Sequence, residues 1–336
     1  MTPARPAPLL VAGALLTVYL VWGSTYLAIA VMIESLPPLL AAGARFLAAG
    51  LIMVAALELG ARLRGRGAPE RPTARQWRAT ALVGVALLLG GNGLVVLSEL
   101  RIPSGIAAVI VASVPIWMAV LESVVTRRPP GRLAIIGLVA GLVGVAIMLV
   151  PAEGVEHLDP LGIVMVCGAA LSWAAGSLYA RRAPLPRSGL LGTAMEMLAG
   201  GAALVMVGLL AGEAARTDPR AFTLPSLLAL AYLVVFGSIL AFSAYTWLLA
   251  RVPVTTVGTY AYVNPVVAVA LGALLLNEPI TPRTLLASGV IIAAVIAMVS
   301  GRDRTAAAEP TAATVPDRDG PRGRARHAEA PAGCAE

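Results

Sequence analysis

The chain contains no lysine, and charged residues of either sign make up only 13% of its 336 residues. Soluble domains carry about one quarter charged residues, so this composition excludes an ordinary soluble fold. Hydrophobic residues account for 58% of the chain, and the mean hydropathy is +0.85. These values indicate that most of the chain lies in lipid.

Cysteine and histidine are equally scarce, with two of each. Cys167 and Cys334 cannot build a disulfide framework. His157 falls in a predicted loop and His327 near the carboxyl terminus, and no aspartate falls within a predicted span. The sequence therefore lacks the His, Asp and Glu constellation of a membrane enzyme. We predict no enzymatic activity, no cofactor and no metal, and keep a membrane-embedded transferase as the alternative.

Long apolar runs dominate the sequence. Ten can be marked, at about residues 9–32, 38–59, 79–98, 104–125, 133–150, 161–180, 189–212, 225–250, 254–276 and 282–300. Most reach the ~20 residues that a helix needs to cross the hydrocarbon core. They are continuously apolar rather than alternating, which favours helices over a barrel. We therefore predict an all-α polytopic membrane protein with ten transmembrane helices.

The arginines predict the orientation of these helices. Every second loop is rich in arginine, as at Arg62–Arg78 and Arg127–Arg132, whereas the other loops hold few. The positive-inside rule then places both termini in the cytoplasm, with the helices in the plasma (inner) membrane. A nucleic-acid partner is not expected, because the basic loops lack interleaved aromatic residues. Residues 302–336 have almost no large apolar residue and are predicted to form a disordered cytoplasmic tail.

An internal repeat organises the apolar runs. Arg101-Ile102-Pro103 and Pro115 return 150 residues later as Arg251-Val252-Pro253 and Pro265, and Trp22 and Trp173 are 151 residues apart. We predict two five-helix repeats, residues 1–151 and 152–301. Because five is odd, the second copy enters the membrane from the opposite side. The repeats are then inverted, as in many secondary transporters, whose sites lie between the halves.

Five strings of this sequence carry a resemblance to a known family. They are VWGSTYLAI at 21–29, PPLLAAGARFLAAG at 37–50, NGLVVLSELRIPSGIAAVIVASVP at 92–115, SWAAGSLYARR at 172–182 and TYAYVNPVVAVALGALLLNEP at 259–279. The chain resembles the drug/metabolite transporter superfamily, and most of all its EamA-type, YedA-like exporter branch. The resemblance implies ten helices in two EamA repeats, a central cavity lined by the first four helices of each half, and efflux or exchange of small organic solutes.

Charged residues inside predicted spans are the first candidates for function, because each costs free energy in lipid. Arg45 and Glu196 lie 151 residues apart, at equivalent repeat positions. Each is roughly 10 Å from the surface at which its helix begins, so the two charges straddle the midplane. In one interpretation they form a buried pair that stabilises one of the two states in which the transporter is open to one side of the membrane. In another, Arg45 binds an anionic substrate group while Glu196 takes a proton or cation. A purely structural role is the third alternative.

Two aromatic and polar helix faces are the next candidates. Trp22, Thr25 and Tyr26 share a face by i, i+3 and i+4 spacing, and Trp173 and Ser177 share the equivalent face of the sixth helix. Such side chains in a bundle interior suit an apolar or aromatic ligand. The alternative is an aromatic belt at the membrane interface. Both tryptophans lie more than a turn inside their runs, which favours cavity lining.

Further candidates lie in the third, fourth and ninth predicted helices. Asn92 binds ligand or a neighbouring helix. Pro115 and Pro265 are predicted to break or hinge their helices, since a proline frees a backbone carbonyl that needs a new partner in lipid; a simple packing kink is the alternative. The polar residues beside the second proline predict a polar ligand patch: Tyr260, Tyr262 and Asn264.

Together these features predict a secondary-active inner-membrane transporter that exports small organic metabolites or drugs by alternating access. The predicted partners are a small-molecule substrate and the lipid bilayer. Protons are a candidate coupling ion, and a homodimer is a candidate assembly. A channel would need rings of like residues, which two non-identical halves do not supply.

Overall fold

The computed structural model describes residues 7–65, 71–102, 107, 110–127, 129–149, 159–276 and 281–307. Its first half holds α1 (Pro8–Ile33), α2 (Pro38–Leu63), α3 (Ala74–Gly84), the π-helical segment π1 (Val85–Gly93), α4 (Leu94–Glu99), α5 (Val114–Thr126) and α6 (Arg132–Leu149). Segments α3, π1 and α4 follow one another without a break. The parts of the first half that the structure describes contain no strand.

The second half repeats this order. It holds α7 (Pro160–Ala180), α8 (Gly189–Leu210), α9 (Glu213–Arg216), a 3-10 turn (Pro219–Ala221), α10 (Leu224–Tyr232), the π-helical segment π2 (Leu233–Phe242), α11 (Ser243–Leu249), α12 (Val254–Gly258), α13 (Tyr260–Leu276) and α14 (Pro282–Ala307). Helix α14 ends within the segment predicted as a tail. The rest of that segment lies outside the described residues.

Six helical segments are long and apolar enough to cross a membrane: Pro8–Ile33, Pro38–Leu63, Ala74–Ser98, Pro160–Ala180, Gly189–Leu210 and Leu224–Leu249. Shorter apolar helices run over Val114–Thr126, Arg132–Ile147 and Leu285–Ala297. The prediction of an all-α membrane protein is therefore confirmed. The number of ten spans stays a prediction.

Prolines and short polar side chains set where these helices begin. Pro8, Pro38 and Pro160 stand in the first turn of α1, α2 and α7, where the missing N–H costs nothing and the fixed φ suits a helix. Thr73 and Gln76 form a reciprocal capping box at the start of α3, which satisfies backbone donors that would otherwise lack partners.

Contacts between helices of the two halves follow the internal repeat. Helix α2 packs against α8, α6 against α14, α1 against α13 and α5 against α7. The π-helical segments follow the same rule, because π1 contacts α7 and α8 while π2 contacts α1 and α2. Helices α2 and α6 thus contact the helix at the equivalent position of the other repeat. Helix α1 contacts the equivalent of α5, and α5 contacts the equivalent of α1. This pattern fits a two-repeat architecture.

The α2–α8 contact depends on glycines that let the backbones approach. A Cβ added at Gly43 would lie 2.9 Å from the Gly201 carbonyl oxygen and 2.8 Å from the Val205 nitrogen, and a Cβ at Gly201 would lie 3.0 Å from the Gly43 carbonyl oxygen. Small residues allow such close approach in membrane helices, where association depends on packing.

This packing predicts that Gly43→Ala lowers the Tm of the purified protein in detergent. The added methyl group meets backbone atoms that cannot move aside, and overpacking of this kind costs about 1–3 kcal/mol. Gly13→Ala is the matched control, because Gly13 has no atom of another element within 4 Å of the added Cβ. Its Tm should stay unchanged or rise. An unchanged Tm for Gly43→Ala would contradict the close α2–α8 contact.

Candidate functional site

A cavity lies between the two halves, and residues from both line it. Its volume is about 100 Å³, which is below the ~300–1,000 Å³ of drug-sized pockets. The first half contributes Trp22, Thr25, Ile29, Arg45, Phe46, Gly91, Asn92, Val95, Val96, Val111 and Val114. The second half contributes Ala169, Ala170, Trp173, Gly237, Phe242, Tyr260 and Asn264.

An aromatic cluster forms one end of this cavity. Trp22 is its centre, with ring centroids 4.9 Å from Tyr260, 5.0 Å from Tyr245 and 5.6 Å from Trp173. Phe242 lies 6.4 Å from both tryptophan rings. Such tilted and edge-to-face contacts are the favourable geometries for aromatic pairs. The cluster joins α1, α7, π2, α11 and α13 at one level of the bundle.

The cavity extends from this cluster toward the end of the bundle at which α1 ends. Along α1 the lining passes from Trp22 through Thr25 to Ile29. On the other side of Trp22 the interior is tightly packed, and the residues there are at most 1% exposed: Val18, Leu87, Leu248, Val254 and Val257. The bundle is therefore closed at one end in this conformation.

Ion pairs join the elements at both ends of the bundle. Arg101 and Asp159 are 2.8 Å apart at the end toward which the cavity extends, and Glu122 and Arg181 are 3.7 Å apart at the closed end. The hydrogen bond from Arg101 holds the pKa of Asp159 below its usual value. Because these groups are partly exposed, each pair adds little stability.

Arg45 is a buried cation in the cavity wall, with only 5% of its surface exposed. Its Nε donates a hydrogen bond of 2.7 Å to the hydroxyl of Ser238, and its guanidinium lies 4.6 Å from the Phe46 ring. The ion pairs found among the described residues do not include Arg45. The structure therefore does not bring Arg45 and Glu196 together as a charge pair.

Glu196 lies on α8, buried to 2% exposure and outside the cavity lining. Its Oε2 has no hydrogen-bond partner among the described residues. Gly84, at the end of α3, packs against the Glu196 backbone so closely that a Cβ there would overlap the carbonyl oxygen. A buried carboxyl oxygen without a partner costs free energy.

The remaining sequence-predicted residues divide into two groups. Thr25, Asn92, Tyr260 and Asn264 line the cavity, and Asn264 Oδ1 is buried without a hydrogen-bond partner among the described residues. Tyr26 lies on α1, and its side chain is outside the described residues.

The second group lies away from the cavity. Ser177 bonds to the Tyr245 hydroxyl (2.6 Å) behind the aromatic cluster. Tyr262 donates to the Leu138 carbonyl (3.0 Å), in a separate core cluster on α6. Pro115 stands in the first turn of α5, directly after a turn at 112–113. Helix α13 continues through Pro265, so the structure shows no helix break there.

Sequence reasoning missed three residues that shape the site. Tyr245 accepts a hydrogen bond from Trp173 Nε1 (2.8 Å) and also contacts Trp22. Phe242 lines the cavity, and Ser238 holds Arg45. All three lie in the apolar run at about 225–250. That run holds nine polar or aromatic positions, and the sequence alone does not single out these three among them.

Comparison with known proteins agrees with this architecture. The model of the EamA-like transporter family matches twice, over residues 9–150 and 160–300. The chain is 41% identical over 294 residues to the uncharacterized inner membrane transporter YedA of Escherichia coli K12, covering 86% of this chain and 90% of the relative. It is 26% identical to a probable amino-acid metabolite efflux pump of Salmonella typhimurium, over 85% and 93% of the two chains.

A crystal structure among the solved structures that match shares the fold, with a TM-score of 0.71. It is 19% identical to this chain, and the match covers 88% of this chain and 98% of the other.

The aromatic cluster predicts that Tyr245→Phe lowers the Tm by the equivalent of about 1–3 kcal/mol. The substitution leaves Trp173 Nε1 without a partner in a buried site, and an unsatisfied buried polar group costs about that much. The Ser177 hydroxyl loses one bond but still donates to the Trp173 carbonyl. Tyr179→Phe is the control, because Tyr179 is 41% exposed and should tolerate the loss of its hydroxyl. Equal Tm values for both variants would show that the Tyr245 hydroxyl bonds contribute nothing.

Proposed function

Because the chain belongs to the EamA-like transporter family, we propose that it exports a small organic solute by alternating access between its two halves. The observation that carries the proposal is the cavity, which both halves line and which the aromatic cluster closes at one end. A solute-sized site closed on one side corresponds to one state of a transporter. The other state would close the end toward Ile29 and open the end beyond Trp22.

The internal repeat explains how the two states of the transporter could interconvert. We take residues 1–151 and 152–301 as five-helix repeats of opposite orientation, so that each half can adopt the conformation that the other has left. Pro115 and Pro265 are the proposed hinges. With both termini in the cytoplasm, as the arginine loops favour, the cavity of this conformation faces the exterior.

The energy source that we propose is a proton gradient acting through Glu196. The sequence holds no ATP-binding module, so uphill transport would use an ion gradient. Glu196 is a buried carboxyl group whose Oε2 has no partner among the described residues, and intramembrane carboxyl groups of this kind serve as proton relays in transporters. A small organic metabolite as cargo is supported by the name of one relative, a probable amino-acid metabolite efflux pump.

The cavity proposal predicts an export defect in a Trp22→Ala, Trp173→Ala double variant. Metabolites in the medium would be compared between cells that lack the protein and cells that overproduce it. At least one solute should accumulate in the medium of cells that overproduce the protein. The double variant should lose this accumulation, because it removes two rings of the aromatic cluster.

The control for this experiment is a Trp77→Phe, Trp117→Phe variant, which alters two tryptophans that are 42% and 36% exposed. It should export as the wild type does. Wild-type export by the double variant at equal protein levels would exclude the cavity as the substrate site.

The coupling proposal predicts that Glu196→Gln abolishes efflux driven by a pH gradient in proteoliposomes. Glutamine keeps the shape of the protonated carboxyl group but cannot release a proton. Exchange of labelled for unlabelled solute without a gradient should continue, because it needs no net proton movement. Glu58→Gln is the control, since Glu58 is an exposed carboxylate at the end of α2. Intact pH-driven efflux by Glu196→Gln would exclude the proton role.

A further inference from the structure

Two sets of hydrogen bonds cross the bundle on the closed side of the aromatic cluster. Trp173 Nε1 donates to the Tyr245 hydroxyl (2.8 Å), and Ser177 Oγ donates to the Trp173 carbonyl (2.6 Å). The hydroxyl of Ser177 is therefore the acceptor in its 2.6 Å bond with Tyr245. One residue further along α11, the Thr246 and Thr193 hydroxyls are 2.7 Å apart. The bonds of Tyr245 to Trp173 and Ser177 and the Thr193–Thr246 bond are called the closed-end hydrogen bonds below.

The closed-end hydrogen bonds join α11 to α7 and α8, which pack mainly on other helices. Helix α7 packs on α3, π1, α4 and α5, and α8 packs on α2, α3 and π1. Helix α11 packs on π2, α1 and α12, and it meets α8 at the Thr193–Thr246 bond. Because all of these bonds end on α11, separating α11 from α7 and α8 would open the bundle beyond Trp22. The closed-end hydrogen bonds therefore help to hold this end shut.

Glu196 lies deeper in the bundle than these bonds. It follows Thr193 by three residues on α8, so the two side chains are neighbours on the surface of that helix, and it interacts electrostatically with Tyr245. Helix α8 begins at Gly189, at the closed end. At 1.5 Å per residue, Thr193 is then about 6 Å and Glu196 about 10 Å into the bundle. The closed-end hydrogen bonds thus lie between Glu196 and the surface at that end.

The helices packed on α8 offer Glu196 little to exchange a proton with. Helix α11 brings the Tyr245 hydroxyl, which already bonds to two side chains. Helix α2 brings Arg45, whose Nε donates to Ser238, and π1 contains no titratable residue. The other charged residues of α2, α3 and α9 stand near helix ends: Glu58, Arg62, Arg75, Arg78, Glu213 and Arg216. Water is therefore the partner with which Glu196 would exchange a proton.

We propose that one movement, the separation of α11 from α7 and α8, both opens the cavity at the closed end and exposes Glu196 to water. The arginine loops place this end in the cytoplasm. Glu196 then exchanges its proton there only in the conformation that also receives the solute, which prevents a proton leak through the closed bundle. Thr193, Ser177 and Tyr245 act as positioning residues for this coupling. The inference rests on the proposed function, because it names how the proton site and the solute site open together.

The test measures whether water-soluble reagents reach Glu196 in the purified full chain. A water-soluble carbodiimide activates the carboxyl group, and glycine ethyl ester then forms an amide with it while the carbodiimide leaves as a urea. The amide on the Glu196 peptide is quantified by mass spectrometry. Opening of the closed end is read separately from the reaction of Val257→Cys with a membrane-impermeant maleimide, with Cys167 and Cys334 replaced by serine.

Two variants each remove part of the closed-end hydrogen bonds. Tyr245→Phe removes the bonds to α7, and Thr193→Val removes the bond to α11 while Thr246 keeps its bond to the Ser243 carbonyl. Each variant should raise the labelling of Glu196 and of Val257→Cys by about threefold to tenfold. The reason is that losing a bond made only in the closed conformation shifts the population toward the open one.

Tyr232→Phe is the matched control. Like Tyr245, Tyr232 shares its hydroxyl with a serine that also bonds to its own helix, here Ser24, but this bond lies on the cavity side of Trp22. Labelling at the closed end should stay at the wild-type level. Met32→Cys, 1% exposed in a separate core cluster, should remain unreactive to the maleimide. A variant that reacts there has unfolded, and the other variant then decides.

Wild-type labelling of Glu196 in both Tyr245→Phe and Thr193→Val would overturn the inference. Reaction of Val257→Cys without labelling of Glu196 would also overturn it, because the two sites would then open separately. An equal rise in Tyr232→Phe would show general loosening of the bundle and would count against it as well. The labelling needs no transport. Intact pH-driven efflux by Glu196→Gln would therefore refute the proton role in the proposed function without changing these labelling results.

Discussion

The structure depends on one constraint, which is that polar groups removed from water must find partners inside the bundle. The π-helical segments show how the two halves meet it together. In π1 the Ala86 carbonyl accepts a 2.8 Å hydrogen bond from Ser172 of α7, and in π2 the Gly237 carbonyl accepts a 3.1 Å bond from Trp22 of α1. Each bond crosses from one half to the other. The cavity walls are thus held by bonds between the halves.

The same constraint draws attention to three buried polar side chains that lack a full set of partners. Most buried polar side chains have partners, as Thr193 and Thr246 do at 2.7 Å. Arg45 has an incomplete set, and Glu196 and Asn264 each keep a buried oxygen without a partner among the described residues. Proteins tolerate such costs mainly where function requires them. In the function proposed for this inner-membrane transporter, a solute and a proton are the partners of these groups.

Much of this arrangement was predictable because the repeat is visible in the sequence. The 151-residue offset paired Trp22 with Trp173, and the structure brings both rings to one cavity. Tyr260 and Asn264 share a helix face at i and i+4, so both line the cavity. Tyr262 stands two positions from each, on the opposite face of α13, where it packs on α6. Helical periodicity would have separated it from them.

Other features left no signal in the sequence. The segments Val85–Gly93 and Leu233–Phe242 are largely apolar, each with one polar side chain, and nothing in such a run distinguishes a π-helix from an α-helix. The partner of Arg45 depends on how π2 is placed against α2, which is a tertiary contact. The absence of a direct Arg45–Glu196 pair has the same origin, because equal depth in the membrane does not fix which way two side chains point.

The central claim is that one cavity is reached alternately from the two ends of the bundle. Cysteine labelling with a membrane-impermeant maleimide tests it most directly, using Ile29→Cys in the cavity and Val257→Cys in the closed end, with Cys167 and Cys334 replaced by serine. The account predicts that the two cysteines react from opposite sides of the membrane, and that a transported solute changes both rates in opposite directions. Reaction of both from the same side, or no reaction at Val257→Cys with solute present, would contradict it.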